Sequence, residues 1–299
     1  MRDILITGGQ GQVGIELARL DWPADIRAHY PSREQLDIAD GESVARYFDG
    51  RHFAAVINPA AYTAVDKAES DSAAAFLVNA QGPAWLAEAT RKAGIPLIHV
   101  STDYVFDGSK GAPYVENDPV APLGVYGGSK LAGELAVAAG NPRSVILRTA
   151  WVLSAHRANF LKTMLRIGAS NPRLRVVADQ VGSPTSAADI AETLKTIALI
   201  MIDDAHAPTG LFHFVNAGEA SWHGLACEIF ALNKAAGGPS PEIEAITTAD
   251  YPTPARRPAN SRLATAKISE CYAIHPRDWR AAVRDIMDEL VGPVPQTGA

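Results

Sequence analysis

The chain has 299 residues, 47% of them apolar and 20% charged, with a formal net charge of −6. That length exceeds one ordinary core, so one large α/β unit or two lobes is expected, and an acidic chain without a long basic block excludes nucleic acid and membrane surfaces as general partners. Cysteine is confined to Cys227 and Cys271, far apart and without a CxxC context, which supports neither a disulfide framework nor a metal site and points to a reducing, cytoplasmic setting.

The opening MRDILITGGQ carries one basic residue and a short apolar run, too brief for a signal peptide, and no apolar run approaches the roughly 20 residues that span a bilayer. Apolar, often β-branched segments recur in DILITG, DIRAHY, AAVINPAA, PLIHVST, SVILRTAWV, LRVVAD and LFHFVNA. Helices are expected over 12–20, 40–49, 70–93, 128–139, 157–170, 187–201 and 221–235. Strands alternating with helices predict an α/β fold, a Rossmann-type doubly wound parallel sheet covered on both faces. After about residue 236, prolines and paired glycines break the pattern, predicting a smaller, loop-rich α/β lobe that closes on a helix around 277–290 and ends in a mobile tail at GPVPQTGA. The expected division is a Rossmann domain over 1–150 with returning segments about 174–216, and a substrate lobe over 151–173 and 217–299.

Gly8, Gly11 and Gly14 stand three apart between the first strand and the first helix, in a loop that also holds Gln10, Gln12 and Val13. Glycine permits the sharp turn, lets backbone approach a pyrophosphate and lets helix and strand pack closely, so the phosphates meet free N–H groups at a helix N-terminus. After the second strand come Ser32 and Arg33 and no acid. An arginine there suits a 2′-phosphate, which favours NADPH and leaves NADH open as a second cofactor.

Tyr126 and Lys130 lie four apart and share a helical face. Ketone reduction needs a proton for the developing alkoxide, and an ammonium beside a tyrosine makes the phenol a better donor. Upstream, Thr102 ends a buried-looking strand, where ligands bind in open α/β sheets. In ARRPANSRL, Arg256, Arg257 and Arg262 offer planar forks suited to a diphosphate, with the contacting arginine left open.

The GxxGxxG spacing resembles the extended short-chain dehydrogenase/reductases. The segments INPAAYTAVDKAE, STDYVFDG, PLGVYGGSKLAGE, LRTAWV, NFLKTMLR, ADQVGSPTSA and RRPANSRL stand in the order found in the dTDP-4-dehydrorhamnose reductases, a likeness that runs to about residue 264. The resemblance implies hydride transfer from NADPH to C4 of dTDP-4-dehydro-L-rhamnose, with Tyr126, Lys130 and Thr102 catalytic. It also implies that Asp37 and Ile38 contact the adenine, that Ala60, Ala61, Tyr62 and Thr63 lie beside the cofactor, and that Asp103, Tyr104 and Trp151 touch the sugar nucleotide. Tyr62 stands where the family usually has histidine and Pro59 where it usually has alanine, and Pro59 lacks an N–H to offer. Alternatives are another nucleotide-sugar reductase or epimerase, or a non-catalytic NADP-binding regulatory subunit of the same fold. The chain is expected to be a monomer or homodimer; some relatives form magnesium-linked dimers, for which Asp285, Asp288 and Glu289 are candidates and a solvated helix face the plainer role.

Overall fold

Residues 1–293 are described by a computed structural model. The apolar runs and the helical stretches between them alternate from the N-terminus onward. Strands β1 (Arg2–Ile6), β2 (Ile26–His29), β3 (Phe53–Asn58), β4 (Leu97–Thr102) and β5 (Ser144–Thr149) alternate with helices. These are α1 (Gln12–Arg19), α2 (Gly41–Phe48), α3 (Val65–Ala68), α4 (Ser72–Phe76), α5 (Gly82–Ala93) and α6 (Val125–Gly140), with a π-helical turn at Leu77–Gln81. The chain then leaves through β6 (Val152–Leu153), α7 (Phe160–Gly168), β7 (Arg173–Val177) and β8 (Val181–Gly182). It returns by β9 (Thr185–Ser186), α8 (Ala187–Asp203) and β10 (Gly210–His213). It leaves again through β11 (Ala220–Ser221), α9 (Trp222–Ala235), β12 (Glu242–Ile246), β13 (Asn260–Ser261), α10 (Ala266–Tyr272) and α11 (Trp279–Val291).

The main sheet runs β2-β1-β3-β4-β5-β10, all pairs parallel. Its order reverses between β1 and β3, which opens a crevice at the strands' C-terminal ends. Helices cover both faces, so the central strands read as nearly unbroken apolar runs. Leu17, Ile190, Leu194 and Ile268 from α1, α8 and α10 pack on one face. Val44, Leu86 and Val137 from α2, α5 and α6 pack on the other.

A second core joins Leu161, Leu225, Phe230, Trp279 and Met287 from α7, α9 and α11 with Leu174 and Val176 of β7. There the structure departs from the expected boundary, because β7 pairs with β12 in a separate two-stranded ribbon. The return to the main sheet begins near β9 instead of at about 174. In RLRVV, charged and apolar residues alternate and only one face is buried, whereas main-sheet strands are buried on both. Helix α10 also forms inside the stretch read as loop, and most of the expected tail lies outside the described residues.

Helix α6 starts at Val125, before the expected residue 128, with Glu69 Oε1 accepting the Val125 N–H at 2.9 Å. Its glycines are contact points: a Cβ on Gly127 would stand 2.1 Å from the Tyr104 carbonyl oxygen, and one on Gly133 2.0 Å from that of Asn79. Gly133→Ala should force α6 away from residue 79 and lower the melting temperature by about 2–10 °C, the shift an overpacking penalty of about 1–3 kcal/mol produces. An unchanged melt would mean that the helix has slack at this point.

Candidate active site

At the C-terminal ends of the central strands a cleft of about 540 Å³ brings together Gly8, Gln10 to Gly14, Ala60, Ala61, Thr63, Thr102, Asp103, Tyr104, Tyr126, Lys130 and Trp151. A smaller cleft of about 250 Å³ continues past the glycine loop to Ser32, Arg33, Asp37, Ile38 and Tyr62. A groove of about 650 Å³ between α2 and α5, lined by residues such as Val44, Phe48 and Trp85, holds none of the residues singled out from sequence.

The glycine loop fits a dinucleotide on three counts. Gly8 sits at φ +60°, and a Cβ there would stand 2.8 Å from the Ala60 Cα. A Cβ on Gly14 would stand 2.2 Å from the Gly8 carbonyl oxygen, so only glycine lets α1 approach β1 so closely. Gly11 caps α1 without a side chain to occupy the first-turn amides, and no acid stands in that turn, which suits an anionic pyrophosphate.

Beyond β2, Arg33 is largely exposed and its Nε donates to Asp37 Oδ2 at 3.0 Å. So open an ion pair is worth little and leaves Arg33 available to a phosphate. Asp37 Oδ1 accepts the Ala39 N–H at 2.9 Å, which shapes the turn beside Ile38. After β3 the Tyr62 backbone is held by Asn79: the Tyr62 N–H donates to Asn79 Oδ1 at 2.8 Å, and Asn79 Nδ2 donates to the Tyr62 carbonyl at 3.0 Å and to Ser129 Oγ at 3.0 Å. No motif points to Asn79, since its role arises from the π-helical turn that aims it between β3 and α6.

At the end of β4 the buried Thr102 hydroxyl donates to Asp103 Oδ1 at 3.0 Å and accepts the Tyr104 N–H at 3.2 Å. Burial pushes the Asp103 carboxyl up to about 6, against hydrogen bonds from Ser261 and Thr102. The Tyr104 and Tyr126 rings meet edge to face, centroids 5.4 Å apart. Burial raises the Tyr126 phenol above its ordinary value, hydrogen bonding with Thr102 eases that, and the Asp103 and Tyr104 charges reinforce it. Burial lowers Lys130 to about 8, opposed by the Glu134 charge. Its ammonium, expected to act on the phenol, here donates to the Val100 carbonyl at 2.6 Å and lies 3.5 Å from His99 Nε2.

On the substrate side Trp151 adopts φ +49°, lines the cleft and stacks on Trp222 with centroids 3.5 Å apart. It thus serves both the pocket and the packing. Arg257 does not line the cleft; its Nη2 donates to Asp66 Oδ2 at 2.7 Å. It does act on Tyr104, which burial and then the Asp103 charge push up to about 12 while Arg257 pulls it back. Arg262 is engaged by Glu219, Asn260 and the Gly111 carbonyl, and Arg256 is exposed.

Two of the carboxylates considered for magnesium face arginines: Asp285 pairs with Arg277 at 2.5 Å and Glu289 with Arg19 at 2.6 Å. Among the described residues no group of three or more His, Cys, Asp or Glu could hold a metal ion. These contacts lend the expectation of magnesium at a dimer interface no support. No helix among them is long and apolar enough to cross a membrane.

Residues 1–291 match the family model described as the RmlD substrate binding domain. The chain is 44% identical to the dTDP-4-dehydrorhamnose reductase of Sinorhizobium fredii, covering 96% of this chain and 97% of that one. To the enzyme of the same name in Escherichia coli it is 39% identical, covering 96% and 98%. Among solved structures it resembles a dTDP-4-dehydrorhamnose reductase from Clostridium acetobutylicum, with a TM-score of 0.90, 36% identity and coverage of 96% and 99%. It also resembles one from Bacillus anthracis in complex with NADP, with a TM-score of 0.89, 30% identity and coverage of 97% and 100%.

Asp103→Asn keeps an acceptor for Thr102 and removes a buried charge. Because the folded-state pKa of about 6 lies above the ordinary 3.8, the charge destabilises the fold at pH 7 and ceases to do so as pH falls through 6 toward 4. The variant should be about 1–3 kcal/mol more stable than the parent in urea melts at pH 7, with the gap closing near pH 4. A variant less stable at pH 7 would show that the carboxylate is compensated.

Proposed function

The chain belongs to the dTDP-4-dehydrorhamnose reductase family, and from that premise we propose that it reduces the C4 ketone of dTDP-4-dehydro-L-rhamnose to give dTDP-L-rhamnose. NADPH, when bound, supplies the hydride. Support for this cofactor comes from Arg33 standing where an acid would hold a 2′-hydroxyl. The observation that carries the reading is the meeting of Thr102, Tyr126 and Lys130 in the cleft that contains the glycine loop.

Tyr126 holds the proton destined for the ketone oxygen. Its raised pKa keeps the phenol protonated at neutral pH, and hydrogen bonding with Thr102 eases the loss of that proton. Thr102, its own hydroxyl oriented by Asp103, directs the substrate oxygen toward Tyr126. Lys130, anchored on the Val100 carbonyl, brings a cation to the floor of the cleft and reaches the ribose side of the cofactor. Trp151 offers an aromatic wall to the sugar nucleotide, and Arg257, held by Asp66 outside the cleft, acts on the site through Tyr104.

A non-catalytic regulatory role would need none of this. Tyr126→Phe should bind NADPH like the parent in a fluorescence titration and lose about 10²–10⁴ in kcat, the usual share of general acid catalysis. Reduction at close to the parent rate would remove Tyr126 as the acid.

A further inference from the structure

The strap between β6 and α7 crosses the mouth of the glycine loop and is tied to it. Asn159 Nδ2 donates to Gln12 Oε1 at 2.9 Å, and Ser154 Oγ donates to the same oxygen at 3.1 Å. At the tip of this strap Arg157 adopts φ +57°, a left-handed conformation that suits glycine and strains a side-chain-bearing residue. Its Nε donates to the Gln10 carbonyl at 2.6 Å, between Gly9 and Gly11, and the residue lines the large cleft.

The cations along the two clefts differ in what they are free to do. Lys130 is buried and committed to the Val100 carbonyl, and Arg33 lies at the far end beside Asp37. Among the described residues Arg157 has no carboxylate partner, and its terminal guanidinium nitrogens carry no hydrogen bond. The glycine loop meets a pyrophosphate with amides, which carry only partial positive charge. A dinucleotide brings two full negative charges to that place.

We propose that Arg157 is a cofactor-binding residue, its guanidinium neutralising the dinucleotide pyrophosphate from the substrate-lobe side of the glycine loop. The proposal rests on the dinucleotide-dependent reading above. The Nε bond to Gln10 holds the exposed Arg157 side chain against the glycine loop. The pyrophosphate is common to NADPH and NADH, so Arg157 should serve both alike, whereas Arg33 would sense the 2′-phosphate that only NADPH carries.

The test is equilibrium binding of NADPH and of NADH, followed by fluorescence, for the full chain and for Arg157→Gly, Arg157→Lys and Arg33→Ala. Glycine accepts the left-handed backbone, so Arg157→Gly should melt no lower than the parent. It should weaken both nucleotides by a similar factor of roughly 10–100, the value of a hydrogen bond to a charged group, and Arg157→Lys should recover part of it. Arg33→Ala should weaken NADPH alone. Unchanged binding in Arg157→Gly overturns the proposal, as does a loss confined to NADPH, which would make Arg157 a reader of the 2′-phosphate. A lowered melt with no recovery by lysine would also overturn it, leaving only a structural latch. If the parent bound neither nucleotide, the functional reading itself would fall, a result separable from these.

Discussion

The architecture of the site depends on how closely helix α6 lies against the end of β4 and the π-helical turn at Leu77–Gln81. Carbonyl oxygens of Tyr104 and Asn79 occupy the space that side chains would need at Gly127 and Gly133. That contact brings Tyr126 edge to face with Tyr104 and brings Lys130 to the Val100 carbonyl. Any larger residue at either glycine would lift the helix and carry both groups away from Thr102. Glycine in a helix interior costs about 1 kcal/mol relative to alanine, so the fold accepts a weaker helix in return for proximity.

Beneath this contact lies a polar layer that the hydrophobic core alone would not predict. Glu134 of α6 receives Arg148 of β5 through two bonds, at 2.8 and 2.6 Å, and Ser101 of β4 at 2.5 Å. Both charged partners are nearly inaccessible, with side-chain exposures of 3% and 5%. A buried pair gains little net stability over apolar packing, yet removing one partner strands the other. Its effect here is to fix the register of α6 against β4 and β5, a specificity that apolar contacts between smooth faces lack. His99 extends the layer, with Asn58 Nδ2 3.0 Å from its Nδ1 and Lys130 near its Nε2. Burial, then the Lys130 charge, hold the imidazole well below its usual pKa, so it stays neutral and spares Lys130 a second positive charge.

Much of this was legible from sequence, for reasons that differ by element. The glycine loop and YxxxK can be read because each encodes a local requirement, a turn and a shared helical face, within a few residues. The central strands of the main sheet can be read because burial on both faces leaves a nearly unbroken apolar run. β7 was assigned to the wrong sheet although RLRVV alternates visibly, because strand order across a break in the sheet is set by partners far away in sequence, here β12. Asn79, His99 and the Asp66–Arg257 pair were not legible at all. Each acts across 17 to 191 residues of chain, and nothing near them in sequence marks the partner.

The segments outside the main sheet, finally, are not held to it by apolar packing alone. Asp66 of α3 accepts both the Ala255 N–H and the Arg257 guanidinium, and Gln10 and Gln12 of the glycine loop hold the strap between β6 and α7. The bonds to Gln10 and Gln12 end on the glycine loop, and both Asp66 bonds on the helix that follows Ala61 to Thr63. Segments anchored in this way take their position from the C-terminal ends of β1 and β3. The cleft wall near Trp151 and the glycine loop are joined through the strap between β6 and α7, so that the two sides of the cleft share one mechanical support. Asp66, which lines neither cleft, thus acts on Tyr104 through Arg257.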